Sequence, residues 1–128
     1  MTAQIAEPDA LFDPADHVRS VIAGYRVRLA AVGAKLATYA DDIRNRRGAA
    51  DSGHAAARKL AGAEKFLSGE YDGTYAGPHP SFGVTLADYR VHYADDCLRT
   101  ALHYLAWAEY DAGLITRAAA VAAGPHCR

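Results

Sequence analysis

The sequence predicts an all-α protein, an elongated up–down–up helical bundle, and two observations support this prediction. Apolar residues recur at alternating steps of four and three, first from Val18 to Ile43 and again from Val84 to Ala122. A period near 3.5 residues keeps one side of a helix facing a neighbour over many turns, as in a coiled coil. Alanine is also abundant, which favours helix formation and lets helices approach closely.

The first predicted helix covers about residues 14–46. Asp13 suits the cap position before it, and Pro14 suits the first helical position. Asp16 places a negative charge near the positive end of the helix dipole. The arginines at 44, 46 and 47 favour the opposite end, and Gly48 is a suitable terminator.

Two further helices follow, at about 52–70 and about 85–123. The shorter one carries an apolar stripe that includes Ala56, Leu60 and Ala63. The segment 71–84 between them is rich in glycine and proline, which exclude helix. It also carries several aromatic rings and almost no charge, so we expect an ordered aromatic segment that packs on the bundle. The two long helices would measure roughly 50–58 Å at ~1.5 Å per residue.

The chain length predicts one domain, with a flexible arm over 1–12, the bundle over 13–123 and a flexible tail over 124–128. Charge is nearly balanced, with 14 Lys+Arg against 15 Asp+Glu, so no global field attracts nucleic acid or membrane. Cys97 and Cys127 lie too far apart along the helix for a disulfide and are expected as free thiols. Neither a secretory signal nor a membrane span is visible, so a cytoplasmic location is expected.

The first helix has an unusual outer face, because the residues opposite its apolar seam are small rather than charged. These residues are Ala23, Gly24, Val27, Ala30, Ala31, Ala34 and Ala37. An outer helix face normally carries lysine and glutamate. We therefore expect these residues to form an interface with another helix, either of a second copy or of another protein. The alternative is that alanine is simply tolerated on a solvated face.

The third helix carries a second apolar stripe about 110° from its seam. Its members are Leu86, Tyr93, Cys97, Tyr104, Trp107, Leu114 and Val121. This stripe is a second candidate surface for self-association. Its aromatic residues Tyr93, Tyr104 and Trp107, together with Tyr75 and His79 from the aromatic segment, are also the candidate lining of a ligand pocket. The favoured interpretation is that these rings pack against one another as part of the core and leave no pocket.

Candidate metal ligands are few. His92 and Asp96 are four residues apart and His103 follows three turns later, a spacing suited to a metal or a proton relay. A network of ion pairs along one helix face explains the same residues. No Glu-x-x-His motif is repeated on two helices, so a di-metal site of the ferritin type is not supported. No cofactor is predicted.

A basic cluster lies around the first predicted turn. It contains Arg44, Arg46, Arg47, Arg58 and Lys59, and acidic neighbours at 41, 42 and 51 dilute it. Arg47 and His54, a few residues apart in a small α-bundle, resemble the Arg and His of the HEPN ribonucleases, which cleave RNA by means of its own 2′-hydroxyl. Here a predicted turn separates the two residues, and the sequence assigns the chain to no family.

The predicted function is that of a small assembly or adaptor protein, which acts through homo-oligomerisation and contacts with another protein. Two surplus apolar faces and the absence of a catalytic motif favour this prediction over an enzyme. The alternatives are RNA binding or HEPN-like, metal-independent RNA cleavage centred on Arg47 and His54, and a helical bundle that binds a small ligand. Nucleic acid is the less favoured partner, and a membrane is not expected.

Overall fold

The computed structural model of the protein describes residues 12–72 and 85–123. They form four α-helices, α1 (Pro14–Leu36), α2 (Arg46–Ser68), α3 (Leu86–Asp111) and α4 (Arg117–Ala123). These two ranges contain no strand, and the helices pack against one another. The predicted all-α helical bundle is therefore confirmed.

The three long helices run up, down and up. Arg46, at the start of α2, donates to the carbonyl oxygen of Leu36 at the end of α1. At the same end of the bundle, the backbone N–H groups of Arg44 and Asn45 donate to the carbonyl oxygen of Asp111, at 2.8 and 2.9 Å. Because α1 and α3 both end where α2 begins, α1 and α3 are parallel and α2 is antiparallel to them.

The core lies between the three long helices, and α2 and α3 share its most extensive contact. Leu60 and Leu105 are its largest fully buried side chains. Small residues let the two helix backbones approach closely. The buried alanines in this part of the core are Ala49, Ala56 and Ala63 on α2, Ala94, Ala101 and Ala108 on α3, and Ala112 at the C-terminal cap of α3. The seam read from the period of 3.5 residues is thus the buried face of α3.

The first helix boundary differs from the prediction, since α1 ends at Leu36 and α2 begins at Arg46 rather than near 52. The Asn45 side chain caps α2 by accepting a hydrogen bond from the Gly48 N–H at 2.9 Å. Such local bonds compete with a continuous helix. Tyr39, which continues the apolar period, lies in the connection and is almost fully exposed.

The third helix also ends early, at Asp111 rather than near Ala123. Gly113 adopts a left-handed φ of 86°. Its N–H donates to the Tyr110 carbonyl at 3.0 Å, and the next N–H donates to the Glu109 carbonyl at 2.9 Å. This pair of hydrogen bonds is a Schellman motif, which terminates a helix. The chain then turns back, and α4 packs against α3.

These boundaries make the three long helices similar in length, at 23, 23 and 26 residues. Each measures roughly 35–39 Å at ~1.5 Å per residue. The bundle is therefore less elongated than two helices of 50 Å or more would make it. No helix in the described ranges has the length and apolar character needed to cross a membrane.

Three predicted segments fall wholly or mostly outside the described residues. They are the N-terminal arm, the tail over 124–128 and most of the aromatic segment 71–84. Of that segment, Tyr71 packs edge-on against Phe66 with ring centroids 4.6 Å apart. Asp72 accepts hydrogen bonds from Arg90 and so ties the end of α2 to the start of α3.

Candidate functional site

The outer face of α1 is exposed along its whole predicted interface. We call this surface the outer strip, and its residues are Ala23, Gly24, Val27, Ala30, Ala31, Ala34 and Ala37. Val27 lies near its middle and is 71% exposed. Val18, Ile22 and Val32, on the opposite side of α1, are buried in the core. The residues of the outer strip therefore lie outside the hydrophobic core of the chain.

Ion pairs to other parts of the chain border the outer strip on both sides. Arg26 donates two hydrogen bonds to Glu64 of α2, at 2.5 and 2.9 Å. These bonds lower the pKa of the Glu64 carboxyl below its ordinary value. Toward the C-terminal end of α1, Lys35 lies 3.0 Å from the carboxylate of Asp42. The cations beside the strip are thus already neutralised.

A buried acid, Glu109 of α3, lies beside the same strip. Arg28 donates to both carboxylate oxygens of Glu109, at 2.9 and 2.6 Å. Glu109 is only 7% exposed, and the hydrogen bonds to it raise the pKa of Arg28. One signal was available in the sequence: Glu109 lies four residues after Leu105, on the edge of the apolar seam.

An apolar groove of about 240 Å³ extends the outer strip toward α2. Its lining residues are Leu29, Val32, Gly33 and Leu36 from α1, and Ala49, Ala50, Gly53, His54 and Ala57 from α2. Gly33 lies three residues after Ala30 and four before Ala37, so the groove adjoins the strip. Together they form one surface without an unpaired charge.

The second apolar stripe is divided between α3, the connection after it and α4, and it is only partly used within the chain. Leu86, Tyr93, Leu114 and Val121 remain exposed. Tyr93 stacks on Phe66 of α2, with ring centroids 5.5 Å apart. Trp107 packs edge-on against Tyr110 at 5.6 Å, and the Arg117 guanidinium of α4 lies over its ring. Of the two surfaces predicted for self-association, the outer strip is the one that remains open along its length.

The predicted ligand-lining residues do not all fall in one place. Tyr75 and His79 lie outside the described residues. Tyr93 and Trp107 lie 14 positions apart on α3, or ~21 Å along the helix axis. Tyr104 lies between them and packs edge-on against His103 at 5.4 Å. A pocket built from these rings stays a prediction.

Two members of the basic cluster, Arg44 and Arg46, donate hydrogen bonds to backbone carbonyl oxygens of other segments. The Arg44 side chain donates to the carbonyl oxygens of Tyr110 and Ile115 at 2.6 and 3.0 Å, and its guanidinium lies over the Tyr110 ring. Arg46 donates to carbonyl oxygens at the end of α1. These two arginines therefore join the helix ends. Nearby, burial raises the pKa of the Asp111 carboxyl, and Arg44 opposes that shift.

Arg47 and His54 lie on the same helix and on the same face of it. The prediction that a turn separates them is corrected, because α2 begins at Arg46. Their spacing of seven residues corresponds to two helical turns. Arg58 follows His54 one turn later on this face, and all three side chains are exposed. Arg47 is 93% exposed at its side chain, and its ion pair with Asp51 is long, at 4.0 Å.

The candidate metal ligands form part of an ion-pair network. His92 Nε2 lies 3.7 Å from Asp96 Oδ2, and Arg99 lies 2.9 Å from Asp95 and 3.9 Å from Asp96. His103 contacts a tyrosine ring rather than these residues. Across residues 12–72 and 85–123, no three His, Cys, Asp or Glu side chains are grouped as metal ligands would be.

Comparison with known proteins adds no assignment: no protein-family model matches the sequence, and neither a curated protein nor a solved structure is significantly similar to it.

Proposed function

We propose that the protein is a small assembly or adaptor protein that self-associates through the outer strip of α1 and the adjoining groove. The observation that carries this proposal is an exposed, uncharged helix face whose bordering cations are all paired within the chain. A second apolar helix can approach such a face without burying a lone charge, which would be costly. Small side chains also allow a short distance between helix axes.

The size of this surface predicts a weak association. The outer strip spans 15 residues from Ala23 to Ala37, or ~21 Å of helix. A single helix face of that length is smaller than the ~800 Å² per partner of a typical stable interface. The groove toward α2 enlarges it. We therefore expect an oligomer that dissociates on dilution, and a surface on which another protein can compete with the second copy.

Light scattering coupled to size-exclusion chromatography tests this proposal. We expect the mass to rise from 13.6 kDa toward a multiple of that value as the concentration reaches about 100 µM. Val27→Glu places a charge at the centre of the strip and should return the mass to that of the monomer. Because Val27 is exposed in the single chain, the helical circular dichroism spectrum should not change.

Val121→Glu is the matched control, since Val121 is an exposed valine on α4 that belongs to the second apolar stripe and lies outside the strip. It should leave the association unchanged. A wild-type protein that stays at 13.6 kDa at every concentration contradicts self-association. An equal effect of the two valine substitutions contradicts the outer strip as the interface, because Val121 belongs to the other candidate surface.

We propose RNA binding or metal-independent RNA cleavage as a second candidate function, favoured by the common face of Arg47, His54 and Arg58 on α2. The two arginines would bind phosphates as charged donors. The His54 imidazole would accept the proton of a ribose 2′-hydroxyl. The 2′ oxygen then attacks the phosphorus to form a 2′,3′-cyclic phosphate, and the bond to the 5′ oxygen breaks. That oxygen takes a proton from water, and His54 afterwards returns its own proton to the solvent.

Incubation with RNA and with DNA of the same sequence, in the presence of a chelator, tests the second candidate. We expect RNA to be cleaved and DNA to survive, because only RNA has a 2′-hydroxyl. Combined Arg47→Ala and His54→Ala should reduce cleavage at least ~100-fold, the typical contribution of a general base. His92→Ala, at an exposed histidine on α3, should have no effect. Cleavage that survives the double substitution excludes this site.

A further inference from the structure

A second groove lies between α2 and α3, on a different part of the surface from the outer strip. Its volume is about 410 Å³, within the ~300–1,000 Å³ range typical of small-molecule sites. We call it the α2–α3 groove, and its lining residues are Arg58, Lys59, Gly62, Phe66, Tyr71 and Cys97. They combine two cations, two aromatic rings and a thiol.

The floor of the α2–α3 groove is apolar. Gly62 faces Cys97, and a Cβ added at Gly62 would lie 3.6 Å from the Cys97 sulfur, an ordinary contact. The thiol is partly buried, and burial raises the pKa of Cys97 while the Lys59 charge acts in the opposite direction. Such a surface favours an uncharged, flat group over water.

The aromatic wall of the groove is held in place by other rings. Phe66 and Tyr71 meet edge to face with centroids 4.6 Å apart. Tyr93 stacks on Phe66 at 5.5 Å. Both Phe66 and Tyr71 remain partly exposed. Preorganised aromatic rings are typical platforms for planar bases.

The cationic rim of the groove is unlike most charged positions in this protein. Arg26, Arg28 and Arg90 each donate to a carboxylate. Arg58 and Lys59 are exposed, and in residues 12–72 and 85–123 no carboxylate lies within ion-pair distance of either. They are therefore available to an external anion.

We propose that the α2–α3 groove binds a nucleoside monophosphate, with its base against Phe66 and Tyr71 and its phosphate on Arg58 and Lys59. Lys59 and Phe66 are seven residues apart on α2, or ~10 Å along the helix axis. A long cationic side chain reaches across part of this distance, so one ligand can contact both groups. This site depends neither on self-association nor on Arg47 and His54.

Isothermal titration calorimetry with adenosine 5′-monophosphate tests the proposal, with adenosine and inorganic phosphate as separate probes. We expect the monophosphate to bind at least tenfold more tightly than either probe, because only it engages both rings and cations. Arg58→Gln combined with Lys59→Gln should weaken the binding of the monophosphate at least tenfold and leave the affinity for adenosine unchanged. Arg47→Gln, on the same helix outside the groove, is the control and should have no effect.

Protection of the Cys97 thiol gives a second measurement that does not rely on the cation variants. In a Cys127→Ser background, Cys97 is the only cysteine. Saturating monophosphate should slow its alkylation by N-ethylmaleimide at least fivefold, and inorganic phosphate should not. The Val27→Glu variant should show the same protection, which separates this site from self-association.

Three results would overturn the proposal. One is no monophosphate binding up to 5 mM. Another is equal affinity for the monophosphate and inorganic phosphate, which would leave the aromatic wall without a role. The third is binding that is insensitive to the double Gln substitution or gives no protection of Cys97.

Discussion

Replacement of Gly113 by alanine is expected to lower the free energy of unfolding by about 3 kcal/mol. Gly113 has a φ of 86°, a conformation in which a Cβ is strained. An added Cβ would also lie only 2.3 Å from the carbonyl oxygen of Asp42. That oxygen belongs to the backbone of the α1–α2 connection, so it cannot rotate away as a flexible side chain would.

Urea unfolding followed by circular dichroism measures this effect. Gly33→Ala is the matched control, because it is the same chemical change at a helix position with no atom within 4 Å of the added Cβ. It should raise the free energy of unfolding by about 0.5–1 kcal/mol, since alanine restricts the unfolded chain more than glycine does. If Gly113→Ala left the free energy of unfolding unchanged or raised it, as Gly33→Ala should, the close packing at Gly113 would be refuted.

The second large effect is expected at the ion pair between Arg28 and Glu109. Arg28→Met removes the cation and leaves the carboxylate of Glu109, which is 7% exposed, without its partner. An unpaired buried charge costs about 3–5 kcal/mol. Because the Arg28 side chain is itself 38% exposed, water screens part of this cost. We expect a loss of about 2–3 kcal/mol at neutral pH.

Two further variants separate the buried pair from an ordinary surface pair. Adding Glu109→Leu to Arg28→Met should restore most of the lost stability, because an apolar pair can replace a buried ion pair. Arg26→Met is the control on the same helix, since Arg26 and Glu64 are each 47% exposed, and it should cost less than about 1 kcal/mol. A double variant less stable than Arg28→Met would show that Glu109 has another role.

Much of the fold follows from local patterns in the sequence. The steps of four and three identify the buried face of α3, including Leu98 and Leu105. The N-terminal caps Asp13 and Thr85 accept hydrogen bonds from backbone N–H groups in the first turns of α1 and α3. The outer strip can likewise be identified from the sequence, because a helix face is defined by residues that are close in sequence.

The helix ends were harder to predict, because they depend on competition between similar local interactions. Residues 37–45 continue the apolar period, yet the Asn45 cap and the carbonyl contacts of Arg46 stabilise a break. Gly113 lies inside the predicted third helix, whereas in the structure it directly follows the C-cap residue of α3. Its contact with Asp42 joins segments more than 70 residues apart, and periodicity carries no information on such contacts.

Local sequence patterns therefore account for the helical class, the alanine-rich seam and the uncharged face of α1. Which charges form ion pairs depends instead on how the helices pack. Arg28 and Glu109 are 81 residues apart, and Arg26 and Glu64 are 38 apart, so their pairing depends on the rotation and register of packed helices. The same packing places Cys97 beside Gly62 and leaves Arg58 and Lys59 open to solvent. A side chain's neighbours within one helix are encoded locally, whereas its neighbours on another helix exist only once the core has formed.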